Sequence, residues 1–67
     1  MLTVNGKQIS LTEPVTVADY LEQNKYVPSQ IAVELNEEIL SRSEYSHTFL
    51  KNGDIMEIVS FMGGGCQ

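Results

Sequence analysis

The sequence predicts one small α+β domain, and three observations carry that prediction. The chain has 67 residues, room for a single modest core, because a domain of this size buries only about 60% of the surface its unfolded chain exposes. Short stretches of alternating apolar and polar residues lie near both ends and in the middle, with the period of half-buried strands. Between the first pair of stretches and the next, Val17 and Leu21 stand four apart, the spacing of a helix face.

Leu2 and Val4 alternate with Thr3, and Asn5-Gly6 follows, a dipeptide suited to the left-handed dihedrals of a two-residue type I′ turn. Beyond it Ile9 and Leu11 alternate with Gln8 and Ser10, which gives the second strand one apolar face. Glu13-Pro14 ends this hairpin. Thr16 stands as the N-cap of a helix, with Asp19 at the third helical position. The helix is short, about two to three turns, and closes near Asn24 before Pro28. Ile31, Val33 and Leu35 share one face of a third strand, Asn36-Glu37-Glu38 supplies a turn, and Ile39-Leu40 a short strand. Ser41 to Leu50 has no clear period and reads as a packed loop. After the turn Lys51-Asn52-Gly53-Asp54, the stretch Ile55 to Phe61 is rich in β-branched and aromatic residues and reads as the closing strand.

Hairpin, helix, strand, short strand, loop and closing strand is the element order of the β-grasp fold, a mixed sheet of four to five strands curled around one helix. By that analogy the first and last strands lie side by side and parallel. The expected core is Leu2, Val4, Ile9, Leu11, Val17, Leu21, Val33, Leu35, Met56 and Ile58. The domain is expected over residues 1–62, and a flexible glycine-rich tail with a Cys-Gln extension over 63–67.

Composition excludes several classes of function. The net charge is -5, with four basic residues scattered at Lys7, Lys25, Arg42 and Lys51, whereas nucleic-acid binding needs clustered cations to neutralise phosphates. No apolar run is long enough to span a bilayer, so neither nucleic acid nor membrane is expected as a partner. Cys66 is the single cysteine, which excludes an internal disulfide and fits a reducing cytoplasm. His47, the single histidine, is flanked by Ser46 and Thr48 in the loop. One His and one Cys do not make a zinc site, and no phosphate-cradling G-x-x-x-x-G-K-[ST] loop is present. No metal site, cofactor site or catalytic constellation is therefore expected, and the chain reads as a substrate and carrier for other enzymes.

The chemistry lies at the end of the sequence, where Ser60-Phe61-Met62 runs into Gly63-Gly64-Gly65 and Cys66-Gln67. Glycines without β-carbons make a slender arm that can thread a narrow channel and expose a carbonyl carbon to attack. Beside it, Ile55, Val59 and Phe61 line the sheet face opposite Met56 and Ile58. For Ile55, docking and cover by the Ser41–Leu50 loop weigh equally; Phe61 and Met62 favour docking. The expected partner-binding residues are Val59, Phe61, Met62 and Gly63.

These residues resemble a known family. Val4-Asn5-Gly6-Lys7, Thr16-Val17-Ala18-Asp19-Tyr20-Leu21, Ala32-Val33-Glu34-Leu35-Asn36 and Gly53-Asp54-Ile55-Met56-Glu57-Ile58-Val59, closed by Phe61-Met62-Gly63-Gly64-Gly65, are similar to the ThiS sulfur carriers of thiamine biosynthesis over nearly the whole chain. The resemblance implies a ubiquitin-like β-grasp protein whose terminal glycine carboxylate is adenylated with ATP by a ThiF-like adenylating enzyme. Sulfur from a cysteine desulfurase or another donor then yields a thiocarboxylate that thiazole synthase consumes. On this resemblance Gly65 carries the thiocarboxylate and Gly64 gives clearance before it. Family members usually finish at glycine, whereas here Cys66-Gln67 follows and the Gly65 carbonyl is an amide. The expectation is that the Gly65–Cys66 bond is a processing site cut by a metalloprotease; the alternative is acyl transfer to the Cys66 thiol. Other classes that the sequence leaves open are a sulfur carrier for molybdopterin, cysteine or siderophore assembly, a protein modifier conjugated to lysines, and a binding module with an inert tail.

Overall fold

The computed structural model describes residues 1–61. The chain opens with β1 (Leu2–Val4) and β2 (Lys7–Ile9), antiparallel neighbours with Val4 opposite Lys7. Asn5 and Gly6 both take positive φ, 51° and 83°, the handedness that lets a two-residue turn follow the right-handed twist of its strands. The strand β2 ends at Ile9, so Leu11 lies outside it. The Asn5 side chain also reaches across the sheet, where its Oδ1 accepts the N–H of Ile58 at 2.8 Å and ties the hairpin turn to the last strand.

Thr16 caps α1 (Val17–Gln23) in a reciprocal capping box. Its Oγ1 accepts the Asp19 N–H at 3.0 Å, while its own N–H donates to Asp19 Oδ2 at 3.4 Å. Two donors that a helix start leaves orphaned are thereby satisfied. The helix stops in a Schellman arrangement: Lys25 takes φ 63°, its N–H donates to the Glu22 carbonyl, and the Tyr26 N–H reaches back to Leu21. Val17 and Leu21 are its buried face.

After a 3-10 turn (Pro28–Gln30) come β4 (Ile31–Leu35) and β5 (Glu38–Leu40), joined through Asn36 and Glu37, both left-handed at φ 53° and 71°. The turn is thus Asn36-Glu37 alone, and Glu38 belongs to the strand. Two further strands, β3 (Val15–Thr16) and β6 (Phe49–Leu50), pair antiparallel as a separate small sheet. The closing strand is β7 (Ile55–Ser60). The main sheet has five strands in the order β2-β1-β7-β4-β5. In it β1 and β7 run parallel, with Thr3 beside Ile55 and Val4 beside Met56, and β7 pairs antiparallel with β4. This is the mixed β-grasp sheet with one helix on its inner face.

The segment Ser41–Leu50 is more than a loop. It contains a 3-10 turn (Arg42–Glu44) and β6, and it receives the start of the helix: the N–H groups of Val17 and Ala18 donate to the carbonyls of Thr48 and Tyr45, both at 2.9 Å. Tyr45 and Leu50 are buried, and with Ile31 they join Leu2, Val4, Val17, Leu21, Val33, Met56 and Ile58 in one cluster; Val15 is buried too. Ile9, Leu11 and Leu35, expected in the core, are only half-buried against its rim. Ile9 is on an edge strand, Leu11 lies past the strand's end, and Leu35 closes β4 opposite the exposed Glu38.

Asp54 is the one buried acidic residue among the described residues. Its Oδ2 accepts the Lys51 N–H at 2.9 Å and its Oδ1 accepts the Asn36 side-chain amide at 3.0 Å. Asn36 in turn accepts the Ile55 N–H on its Oδ1 at 2.9 Å and donates its own N–H to the Ile55 carbonyl at 2.8 Å. This clip fastens the start of β7 to the end of β4.

Candidate functional site

Strict alternation along β7 divides its residues between two environments. Met56 and Ile58 go inward, while Ile55, Glu57 and Val59 are exposed. Across the ladder Val59 stands opposite Ala32, Glu57 opposite Glu34, and Glu34 is opposite Ile39 of β5. The outer face of the sheet therefore carries Ile39, Ile55 and Val59 at 74%, 55% and 56% exposure. The Ser41–Leu50 segment does not cover it, since that segment is engaged with the helix and the core on the other side.

Phe61 follows the last residue of β7. Its N–H donates to the Gln30 carbonyl at 3.2 Å, and its ring is 61% exposed. It lines a cleft of about 220 Å³ with Ile31, Leu40, Arg42 and Tyr45. Sequence reasoning found Val59 and Phe61 by the alternation of the last strand. It gave no role to Arg42, because only the packing of the second 3-10 turn brings that residue to the cleft. Met62, Gly63, Gly64, Gly65 and Cys66 lie outside the described residues.

The chemistry available on the body is sparse. His47 is exposed, and no group of three or more His, Cys, Asp or Glu that could hold a metal occurs among the described residues. No helix among them is long and apolar enough to cross a membrane. The phenol of Tyr20 is pushed above its ordinary value, chiefly by burial and secondarily by the neighbouring Tyr26 phenol. It lines a separate cleft beside Leu11 and Val15, away from the outer face.

A β-grasp domain whose closing strand carries an exposed apolar face and leads into consecutive glycines has the design of the ubiquitin-like carriers. The model of the ThiS family matches residues 2–65, and the chain belongs to that family. It is 35% identical over 66 residues to the sulfur carrier protein ThiS of Bacillus subtilis, covering 97% of this chain and 100% of that protein. It is also 36% identical over 64 residues to a thiazole synthase of Paramagnetospirillum magneticum, covering 96% of this chain but 20% of that longer protein. The chain thus spans about a fifth of the thiazole synthase that it matches. Among solved structures, the crystal structure of the thiamine biosynthesis protein ThiS from Geobacter metallireducens superposes with a TM-score of 0.79 at 40% identity, covering 96% of this chain and 97% of that one. The chain is a ThiS-type sulfur carrier of thiamine biosynthesis with a ubiquitin-like β-grasp fold.

Proposed function

We propose that this chain carries sulfur as a thiocarboxylate on Gly65 and delivers it to thiazole synthase in the cytoplasm, without being an enzyme itself. The observation that carries this reading is the family match, which runs through Gly63-Gly64-Gly65 and leaves Cys66-Gln67 outside it. A sequence of this kind within longer thiazole synthases, 20% of one and 19% of another from Magnetococcus marinus, supports thiazole synthase as the partner, because fusion keeps a carrier beside its consumer.

In this reading a metalloprotease first hydrolyses the Gly65–Cys66 amide and leaves a carboxylate on Gly65. A carboxylate is a poor electrophile. A ThiF-like enzyme, which binds the ATP, converts it to an acyl-adenylate with release of pyrophosphate, and AMP becomes the leaving group. A persulfide sulfur, supplied through a cysteine desulfurase, attacks the acyl carbon and displaces AMP; reductive cleavage of the resulting acyl disulfide by a thiol leaves the thiocarboxylate. The sulfur anion is a stronger nucleophile than the oxygen it replaces, and it attacks the substrate of thiazole synthase. Gly64 leaves the approach to that carbonyl clear, and Val59, Phe61, Met62 and Gly63 meet the enzymes.

The test is intact mass after the full chain is incubated with ATP, a sulfur source and extract of the cells it comes from. Loss of Cys66-Gln67 followed by a gain of about 16 Da, the exchange of oxygen for sulfur at an activated acyl group, is expected. A chain that keeps both residues and gains no mass, or that appears in isopeptide-linked adducts, refutes the reading.

A further inference from the structure

The register between β4 and β7 sets Glu34 directly opposite Glu57 in the outer face. Like charges directly opposite each other weaken a sheet, and the residue on the other side of Glu34 is Ile39, which brings no cation. The four basic residues stand elsewhere: Lys7 on β2, Lys25 after the helix, Arg42 in the second 3-10 turn and Lys51 in the turn before β7. Glu34 and Glu57 also share a shallow concavity of about 520 Å³ with Asn36, Glu37 and Ile55. The pair is framed by apolar side chains, Ile55 and Val59 along β7 and Ala32 and Ile39 across the sheet. The free domain therefore holds two facing carboxylates in the middle of an exposed apolar face.

Charge complementarity names what fits there. An arginine guanidinium is planar, presents several N–H donors in a fixed fork, and is weakly enough hydrated to lie against aliphatic side chains. It can donate to both carboxylates at once through charge-assisted bonds. A lysine ammonium offers a compact, strongly hydrated charge instead, and phosphate-bearing partners are repelled. Arginine is also enriched at the desolvated centres of protein interfaces. We propose that Glu34 and Glu57 form the receptor for an arginine of thiazole synthase, presented among apolar residues that cover Ile39, Ile55 and Val59. This inference rests on the carrier reading above and adds to it the contact that sets the docking register. The same two carboxylates that loosen the free sheet strengthen the complex.

The experiment measures calorimetric binding of the full chain to purified thiazole synthase of the same organism, together with the melting temperature of the free chain. The double variant Glu34→Gln/Glu57→Gln keeps side-chain size and removes both charges. Its Kd is expected to weaken by about 30-fold or more and to lose most of its salt dependence. Its melting temperature is expected to rise by about 1–8 °C as the like-charge contact disappears. The control Glu13→Gln/Glu22→Gln changes net charge equally at two exposed positions off the face, and its Kd should stay within about twofold of the parent. Absence of binding by the unsubstituted chain counts against the carrier reading itself. If that chain binds, the arginine receptor is overturned by an unchanged Kd in the double variant, by equal weakening in the control, or by weakening accompanied by a lower melting temperature.

Discussion

Replacing Asn36 tests whether the clip between β4 and β7 is a main fastening of the sheet. Asn36→Ala removes the bond from its amide to the buried Asp54 carboxylate and the bond it accepts from the Ile55 N–H. A hydrogen bond to a charged group contributes about 1.5 kcal/mol or more, and the bond at the exposed Ile55 about 0.5 kcal/mol, since water can replace it. Alanine must also hold φ 53°, which asparagine tolerates better than other side chains, for about 1 kcal/mol more. The expected loss is about 3 kcal/mol, against a total of roughly 3–10 kcal/mol for a chain of this length. Asn36→Gly separates the parts: glycine accepts the left-handed dihedral and forfeits only the bonds, so it should lose about 2 kcal/mol. Urea unfolding followed by far-ultraviolet circular dichroism gives both values, with the slope m checked for constancy between variants. A loss below about 1 kcal/mol in Asn36→Ala, or a glycine variant less stable than the alanine one, refutes this account of the clip.

Two other perturbations follow from single contacts. Thr16→Ala removes the side-chain half of the capping box, the Oγ1 that accepts the Asp19 N–H, and should lower stability by about 1 kcal/mol, or roughly 4–8 °C in melting temperature; an unchanged melting curve refutes the cap's contribution. Tyr20 holds its phenolic proton to higher pH in the native chain than in the unfolded one, because of burial first and Tyr26 second. Above about pH 10 the unfolded state therefore binds fewer protons, and stability falls as pH rises toward the native value, while below the unfolded value the contribution is fully present. Melting temperatures from about pH 8 to 11 should fall less steeply in Tyr20→Phe than in the parent, and parallel curves refute the assignment.

What could be read from the sequence was local. Asn5-Gly6 announces a left-handed turn, Thr16 and Asp19 announce a cap, and the alternation of Ile31 to Leu35 and of Ile55 to Val59 announces strands; each signal lies within a few residues of its effect. The small sheet could not be read, because β3 and β6 have two residues each and show no period. Tyr45 and Leu50 looked like loop residues for the same reason, yet they close the core beneath the helix. Leu35 shows the opposite failure, since its alternation is right but its neighbour across the ladder is the exposed Glu38, beside the turn that closes the hairpin. The facing of Glu34 and Glu57 had no local signal at all. It depends on the register between strands far apart in the chain, which the Asn36 clip and the Ala32–Val59 and Val33–Ile58 pairs set together.

In the carrier reading proposed above, the work is divided between the outer face of the sheet, built by β4, β5 and β7, and the glycine-rich segment that follows in the sequence. Ordering three glycines in an enzyme's channel gives up about 3–6 kcal/mol. Ile39, Ile55 and Val59 are each more than half exposed, and covering them returns about 1 kcal/mol apiece. The apolar face alone therefore at most offsets the ordering of the tail, and the loss of translational freedom on association, about 4 kcal/mol at the least, has to be met by other contacts. A carboxylate pair that gains strength only when a cation is supplied is one such source. It is lost again as soon as the partner leaves. Under the carrier reading proposed above, the chain gains from that arrangement, because its complex with thiazole synthase is not held so tightly that release is delayed.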